Sequence, residues 1–559
     1  MSKRWIVPDP VPVDVADALR SFGPAEQAVL WRRGVNSQAD AEAFFQPSSA
    51  SSDPFSLLGM RGAVDRLGVA LRAREKIVVY GDYDADGLTG TALMVLYLKR
   101  LGAEVAHFIP NRYREGYGLT EEALAGLAAG GARLVVSVDC GARSVPEAAA
   151  ARRLGLDLII TDHHAPGSVL PEAVAIVNPK QPGDAYPFDD LSGAGLAYKV
   201  TQALAQALGG PDPQDLLDLV AIGTIADLVP LRGENRDLAR AGLVRLRSTG
   251  RPGLKALMSV AGISPASVRA SSVGFGIGPR LNAAGRLDSA ETAYDLLMTD
   301  SPQEADALAQ ALETFNRDRR QATSELVNLA RGLAEQGDQR TLIFAAHPDF
   351  LEGIAGLVAA RLSEERYRPA IIAHRGDAET RGSARSIPGF HITRALDECA
   401  DLLIRYGGHA AAAGFTLATR DVERLEDRLQ AIAARELLGA DLTPAVEIDA
   451  MVGPEHLGWR LMEFGESLEP CGYGNEAPTF GARGLRVRSA RTVGADGKHL
   501  KLLLGAERGA GAWDAIGFGM GDLAVGLPRS VDVAFRLERN TYGGYDSLQL
   551  NLADVRAAG

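Results

Sequence analysis

Lys76-Ile-Val-Val-Tyr-Gly-Asp-Tyr-Asp-Ala-Asp-Gly-Leu-Thr-Gly-Thr-Ala-Leu93 decides how this chain is read. A short β-rich run, Ile77–Tyr80, gives way to a polar loop and then to an alanine-rich amphipathic stretch. The same theme follows Leu134–Val138 and Leu158–Ile160, the signature of βαβ units on a parallel sheet. Acids or histidines trail each run: Asp82, Asp84 and Asp86, then Asp139, then Asp162, His163 and His164. Sites in open α/β sheets form at the carboxyl ends of strands, so the three turns are expected to share one site.

Carboxylates spaced as Asp82, Asp84 and Asp86 are can face one point. There they raise one another's pKa unless a cation compensates them, which makes a divalent metal their natural occupant rather than a bare acidic turn. The imidazoles of His163 and His164 add nitrogen to the set, and mixed ligation suits Mn²⁺, Zn²⁺ or Fe²⁺ better than Mg²⁺ or Ca²⁺ alone. A fourth acid, Asp227, interrupts the apolar helical pattern Ala221–Pro230 and as a buried charge wants a partner. Four separated segments can thus converge on two metals about 3.5–4 Å apart, bridged by one carboxylate.

The chain has 559 residues, too many for one core, so three or four domains are expected. Cys140, Cys399 and Cys471 form no CxxC pair, which supports neither a zinc knuckle nor disulfides and fits a reducing compartment. The N-terminal residues hold no signal-peptide core and no long unbroken apolar run follows, so a cytoplasmic protein is expected. The net charge of −12 runs against nucleic-acid binding on average, but fields are local.

Ser301-Pro302-Gln303-Glu304 is a capping box opening a helical pattern that stops at Gly337. A helix of about 34 residues spans roughly 50 Å, and residues 301–338 are read as a connector. Before it lie a catalytic domain, 51–300, and an extension, 1–50, expected to pack on the catalytic core. After it, Thr341–Ala345 and Pro369–Ala373 flank the helical stretch Gly353–Arg361, giving a smaller α/β domain, 339–445. From about Glu447 short alternating strands take over: Leu485–Ser489, Leu500–Leu504, Ala515–Phe518, Val531–Leu537 and Leu548–Leu552. These predict a five-stranded barrel of OB type over 446–559. Between Arg483 and Lys501 six cations, Arg486, Arg488, Lys498 and Lys501 among them, face only Asp496. With Phe518, Tyr542 and Tyr545 as stacking rings, that face suits single-strand binding.

The four acidic and histidine segments resemble the motifs of the DHH phosphoesterase superfamily, and their surroundings resemble RecJ nucleases from about Trp31 to the last barrel strand. The resemblance implies a parallel-sheet DHH domain joined by the long helix to a DHH-associated domain, followed by the barrel. It implies a single-stranded-DNA-specific 5′-to-3′ exonuclease releasing 5′-mononucleotides, acting in DNA repair and recombination. Asp82, Asp84, Asp86, Asp139, His163 and Asp227 would hold two divalent ions, Mn²⁺ preferred and Mg²⁺ possible, with Asp139 the bridge and His164 facing the scissile phosphate. Tyr80 stands where several DHH enzymes carry a histidine, and Asp82 is expected to replace it.

Three further segments are RecJ-like: Pro110–Gly118, Gly278–Leu287 and Arg381–Ser386. From them Arg112, Arg280, Asn282, Arg286, Ser383 and Arg385 are expected to bind substrate, their donors lying beside glycines that admit a sugar-phosphate backbone. His409, in Arg405-Tyr-Gly-Gly-His-Ala410, matches the Gly-Gly-His element, whereas Asp349-Phe-Leu-Glu-Gly353 replaces the usual Trp-His-x-Gly. The expected partners are single-stranded DNA with a free 5′ end, a helicase and a single-strand-binding protein. A small oligonucleotide or cyclic-dinucleotide phosphodiesterase would share the ligands without needing the basic barrel. A non-catalytic DNA-binding scaffold would have no need of the intact set of acids and histidines.

Overall fold

The computed structural model describes residues 3–46, 52–335, 341–506, 511–540 and 546–559. Ile77–Tyr80 is buried at all four positions, as a strand covered by helices on both faces must be. It lies in an all-parallel sheet ordered Val105–Phe108, Ile77–Tyr80, Leu134–Val138, Asp157–Thr161, Ala175–Val177. The chain first steps from Ile77–Tyr80 outward to Val105–Phe108 and then back to Leu134–Val138 on its other side. This reversal is a topological switch point, where loops at the carboxyl ends of strands part to leave a crevice.

The helix Ala85–Arg100 is buried along nearly its whole length, because Gly193–Leu208 and Leu217–Ala226 pack across its far side. Its Gly90 lets it lie against the sheet: a Cβ there would come within 2.7 Å of Val138 Cγ1. Ile77, Val79, Leu88, Leu93, Val136, Ile159, Leu196 and Ile222 share the resulting core.

The predicted connector is a single helix, Pro302–Glu335, capped where Ser301 Oγ accepts from the Glu304 N–H at 3.3 Å. It is more than a spacer. Ala305, Ala309 and Leu312 belong to the catalytic core, whereas Leu326, Val327 and Ala330 join Phe350, Ile354 and Val358 in the core of the second domain. One rigid rod therefore fixes the two domains relative to each other. The second sheet is ordered Leu403–Gly408, Ala412–Ala418, Glu379–Arg385, Ala370–Arg375, Ile343–His347, with only the last pair parallel.

The barrel strands are Phe480–Val493, His499–Gly505, Ala512–Gly517, Ser530–Asn540 and Ser547–Ala557, and closure comes from Phe480–Val493 pairing with both His499–Gly505 and Ser530–Asn540. All five predicted strands are present. Tyr542 and Tyr545 lie outside the described residues. Among the described residues no helix is long and apolar enough to cross a membrane.

The N-terminal extension, expected on the catalytic core, buries its apolar side against the barrel and meets the catalytic domain through arginine contacts. Val15, Leu19, Val29 and Leu30 share one apolar cluster with Leu461, Phe464, Leu468 and Phe480 beside and within the barrel, and Arg4–Ile6 pairs in parallel with Ala445–Glu447. The aromatic rings decide it: Phe22 stacks on Phe45 at 5.9 Å and both contact Phe464. The catalytic domain is reached through arginines of the helix Gly233–Arg247. Arg236 donates to the carbonyls of Leu468 at 2.9 Å and Pro470 at 3.1 Å and lies 4.1 Å from the Phe44 ring centroid. Arg240 donates to Phe45 O at 3.0 Å. Burial pushes the Arg236 guanidinium down to about 10.

Arg236→Ala is expected to remove about 3 kcal/mol from this junction, because the Leu468 and Pro470 carbonyls keep their burial and lose a charged donor. Thermal unfolding should show the extension and barrel melting ahead of the catalytic domain, with faster tryptic cleavage between them. A variant indistinguishable from the parent in both measurements would show that the arginine is not the clamp.

Candidate metal centre and nucleic-acid cleft

The first acidic run is divided by the start of a helix. Asp84 is the N-cap of Ala85–Arg100, its Oδ1 accepting from the backbone N–H of Asp86 at 2.9 Å and Gly87 at 3.1 Å, an anion at the positive end of a helix. Asp86 lies within the first turn, and its two oxygens accept from Gly193 N–H at 2.6 Å and Ala194 N–H at 2.9 Å, the opening residues of the facing helix Gly193–Leu208. Side chains are excluded around it: a Cβ on Gly193 would fall 2.6 Å from Asp139 Cβ, and one on Gly223 would fall 2.4 Å from Asp86 Oδ1.

Asp139 leaves its strand with φ at +63°, a left-handed conformation that costs a non-glycine residue energy and that functional sites retain. Asp227 sits just past the last residue of Leu217–Ala226 rather than inside that helix, and Leu228, with φ at +62°, turns the chain away.

These segments meet. His163 Nε2 lies 3.0 Å from Asp139 Oδ1, 3.4 Å from Asp227 Oδ2 and 4.0 Å from Asp86 Oδ2. Three sets of ligand atoms each fall within 4.8 Å: Asp139, His163 and His164; Asp86, His163 and Asp227; Asp82, Asp84 and Asp139. Asp139 and His163 recur between sets, and Asp139 is the acid common to two of them. Tyr80 takes no part. It is fully buried, its ring packed on Phe108 and its hydroxyl donating to Gly118 O at 3.0 Å, while Asp82 is among the clustered acids.

The electrostatics suit a cation. Burial first, and then the neighbouring acids, raise Asp82, Asp139 and Asp227 well above the usual carboxylate range. Burial and the Asp84 charge push Asp86 up to about 7, and burial drives His163 down to about 3, keeping its imidazole neutral. Asp82 Oδ1, Asp139 Oδ1 and both ring nitrogens of His163 are buried without a hydrogen-bond partner. Orphaned buried polar atoms of this kind cost free energy, and a pair of divalent cations would satisfy the carboxylate oxygens and the unprotonated nitrogen of His163.

His164 is placed differently. Its Nδ1 lies 2.8 Å from Asp162 Oδ1 and 3.2 Å from Tyr117 Oη, and its carbonyl accepts from Asn178 Nδ2 at 2.9 Å. Burial opposes its charge, but the hydrogen bond and charge of Asp162 outweigh burial and raise it. Burial likewise opposes ionisation of Asp162, and His164 overcomes that and lowers it. Asp162, Tyr117 and Asn178 carry no assignment in the sequence reading. Asp162 had a signal in its place directly before two histidines, and Tyr117 in its place within Pro110–Gly118.

The predicted phosphate ligands divide into two groups. Arg112 stacks 4.1 Å from the Tyr83 centroid, Arg286 donates to Gly353 O at 3.1 Å and Arg385 donates to Ala384 O at 2.9 Å. Burial, then Arg112, Arg319 and Arg385, push Arg286 down to about 10. These half-buried guanidinia repel one another, and Arg319, from the connector helix, joins them with no local sequence signal. Gly353 persists within the variant 349–353 loop because a Cβ there would meet Arg286 O at 2.4 Å. Ser383 lies two residues before Arg385 on the same strand. Burial, then the charges of His164, Arg143 and Lys180, lower His409.

Arg280 and Asn282 bond within the scaffold. Arg280 Nε donates to Glu313 at 2.5 Å, and Asn282 Oδ1 accepts from Ala85 N–H at 2.7 Å, fixing the metal-site loop. On the barrel, Arg486 and Arg488 are exposed, Lys498 pairs with Asp496 at 2.8 Å, and Lys501 lies 3.7 Å from Asp514. Phe518 is 58% exposed beside His499.

Comparison with known proteins agrees with this geometry. Residues 76–224 match the DHH family N-terminal domain, 339–435 the DHHA1 domain and 448–554 the RecJ OB domain. The chain is 40% identical over 560 residues to the single-stranded-DNA-specific exonuclease RecJ of Bacillus subtilis, covering 99% of this chain and 70% of that protein. It is 35% identical over 570 residues to RecJ of Escherichia coli, covering 97% of each. The crystal structure of RecJ in complex with Mn²⁺ from Thermus thermophilus superposes with a TM-score of 0.86 at 34% identity, covering 100% of this chain and 80% of that one. With fold, metal-ligand constellation and full-length relatives in agreement, the chain belongs to the RecJ family of DHH-type single-stranded-DNA-specific exonucleases.

Proposed function

We propose that this protein degrades single-stranded DNA from its 5′ end to 5′-mononucleotides with two divalent ions, Mn²⁺ preferred and Mg²⁺ possible, in DNA repair and recombination. The observation that carries this reading is the convergence of Asp82, Asp84, Asp86, Asp139, His163 and Asp227 on one site, where Asp82, Asp139 and His163 hold buried atoms without hydrogen-bond partners. Similar RecJ structures from Thermus thermophilus are described in complex with Mn²⁺ and with Mg²⁺. Such ions supply Lewis-acid activation of the phosphodiester and of the attacking water. A scaffold protein would have no use for so costly a set of desolvated acids.

The chain's own residues do the rest. Asp139, common to two ligand sets, is the bridging candidate, and Asp162 favours the charged form of His164 through Nδ1, the form in which Nε2 carries a proton to donate to a phosphate oxygen. Arg112, Arg286, Arg319 and Arg385, with Ser383, form a cationic pocket suited to a terminal 5′-phosphate, and burial strengthens such charge-assisted bonds. The exposed barrel face offers Arg486, Arg488, Lys498, Lys501 and Phe518 to the incoming strand. Its ion pairs are weak surface pairs that phosphates can replace. A single-stranded substrate entails a helicase to supply it and a single-strand-binding protein to share it, and a cytoplasmic location accords with both.

With 5′-labelled and 3′-labelled single-stranded oligonucleotides and Mn²⁺, the 5′ label should leave first as mononucleotide. EDTA and Asp139→Ala should each stop release, whereas residual turnover near the parent level in the variant would overturn the ligand assignment.

Arg385→Ala should raise KM at least tenfold for a 5′-phosphorylated strand and less for a 5′-hydroxyl one, in line with about 1.5–3 kcal/mol for a hydrogen bond to a charged group. Equal effects on both substrates would place the 5′-phosphate elsewhere.

The metal-free protein should lose stability as pH rises from about 6.5 through about 7. The raised Asp86, at about 7, and the raised His164 bind more protons folded than unfolded, so stability falls as pH rises through them. His163, lowered to about 3, acts in the opposite sense only below its ordinary value. Thermal melting with and without Mn²⁺ checks this: the ion should remove the decline, and a metal-free melting temperature that rises over this window would contradict it.

A further inference from the structure

Positive charge flanks the metal centre on two sides, and a terminal phosphate occupies only one of them. The arginine cluster adjoins the Asp82 and Asp84 side, where Arg112 acts on Asp82 and Asp84 acts on Arg286. At the other side stand Lys180, whose charge reaches His163, Asp227 and His409, and Arg143, whose charge reaches His409.

Both cations hang on one hydrogen-bonded frame around the His164 peptide. Arg143 Nε donates to Ala165 O at 2.9 Å. Asn178, fully buried, donates through Nδ2 to His164 O at 2.9 Å and accepts from the Lys180 N–H at 2.8 Å. The positions of both are therefore set by the same loop that positions His164. Their outer ends remain available: Arg143 is exposed, and Lys180 is held only by a 3.6 Å pair with the half-exposed Asp190, a contact that an incoming phosphate can exchange.

The two sides also differ in closure. The second domain lies against the arginine cluster, with Arg286 donating to Gly353 O at 3.1 Å and a Cβ on Gly353 standing 2.4 Å from Arg286 O. A closed end accommodates the terminus of a polymer. An open end must pass the remainder of the strand, and there the available chemistry is sequence-neutral contact to the backbone.

We propose that Arg143 and Lys180 bind the phosphodiester immediately 3′ of the one being cut, so that the strand leaves the cleft between them and His409. The subsite takes a DNA backbone phosphate, not a base, and it makes the enzyme favour strands over dinucleotides. This inference rests on the exonuclease reading above.

The test compares a 5′-phosphorylated dinucleotide, which contains a scissile phosphate but none beyond it, with a twelve-nucleotide single strand, using the parent protein and the double variant Arg143→Gln, Lys180→Gln with Mn²⁺. The ratio of kcat/KM on the longer strand to that on the dinucleotide should fall at least tenfold, mainly through KM. The salt dependence of longer-strand binding measured in EDTA should become shallower by about two phosphate contacts. An unchanged ratio, whether both rates drop together or neither does, overturns the subsite. A parent that cuts neither substrate defeats the exonuclease reading instead, and the EDTA binding comparison still decides the subsite on its own.

Discussion

Mutual repulsion among buried carboxylates is the constraint on which the rest of this structure depends. Asp82, Asp86 and Asp139 are each almost wholly removed from solvent, and Asp227 and Asp84 stand beside them. Like charges in a low-dielectric pocket raise one another's pKa until protons or cations intervene. The scaffold holds them together against this force with fixed dipoles: two helix N-termini point backbone N–H groups at Asp84 and Asp86. It also removes every side chain that could relieve the crowding, and glycines at 193 and 223 bring helix backbone directly against Asp139 and Asp86. A site built this way is poor in the absence of metal and well matched to it.

The same logic in opposite sign governs the neighbouring arginines. Arg112, Arg286, Arg319 and Arg385 come from the catalytic domain, the connector helix and the second domain, and each is placed by carbonyl, ring or amide contacts. Buried charge is tolerated where a ligand of opposite sign completes it. Acid cluster and arginine cluster lie side by side, so a substrate phosphate can be drawn toward cations at both, those of the protein and those held by the acids. The connector helix is central to this, since it buries one end in each domain core and so fixes the separation across the cleft.

Much of this was legible in the sequence. Asp82, Asp84, Asp86, Asp139, His163 and His164 could be placed at strand ends because a β-run followed by a polar turn fixes local geometry wherever it occurs. The connector helix was legible from its capping box and glycine stop, and the barrel strands from alternation. Arg319 and Asp162 were less visible: one lies on an ordinary charged helix face, and the other looked like a companion of the histidines. Arg280 and Asn282 have the residue types of phosphate ligands, and only the tertiary structure shows that Arg280 also bonds Glu313 and Asn282 the Ala85 amide.

Sequence alone determined which residues carry the chemistry and which elements they end, because backbone periodicity, caps and turn residues act over a few positions. Tertiary structure decided how those ends meet. It set Asp227 beside His163 rather than in an apolar helix, joined the apolar side of the N-terminal extension to the barrel, and brought Arg143 and Lys180 to the open end of the cleft. Such contacts span tens to hundreds of residues and follow from which apolar faces bury each other, and no local pattern encodes that choice.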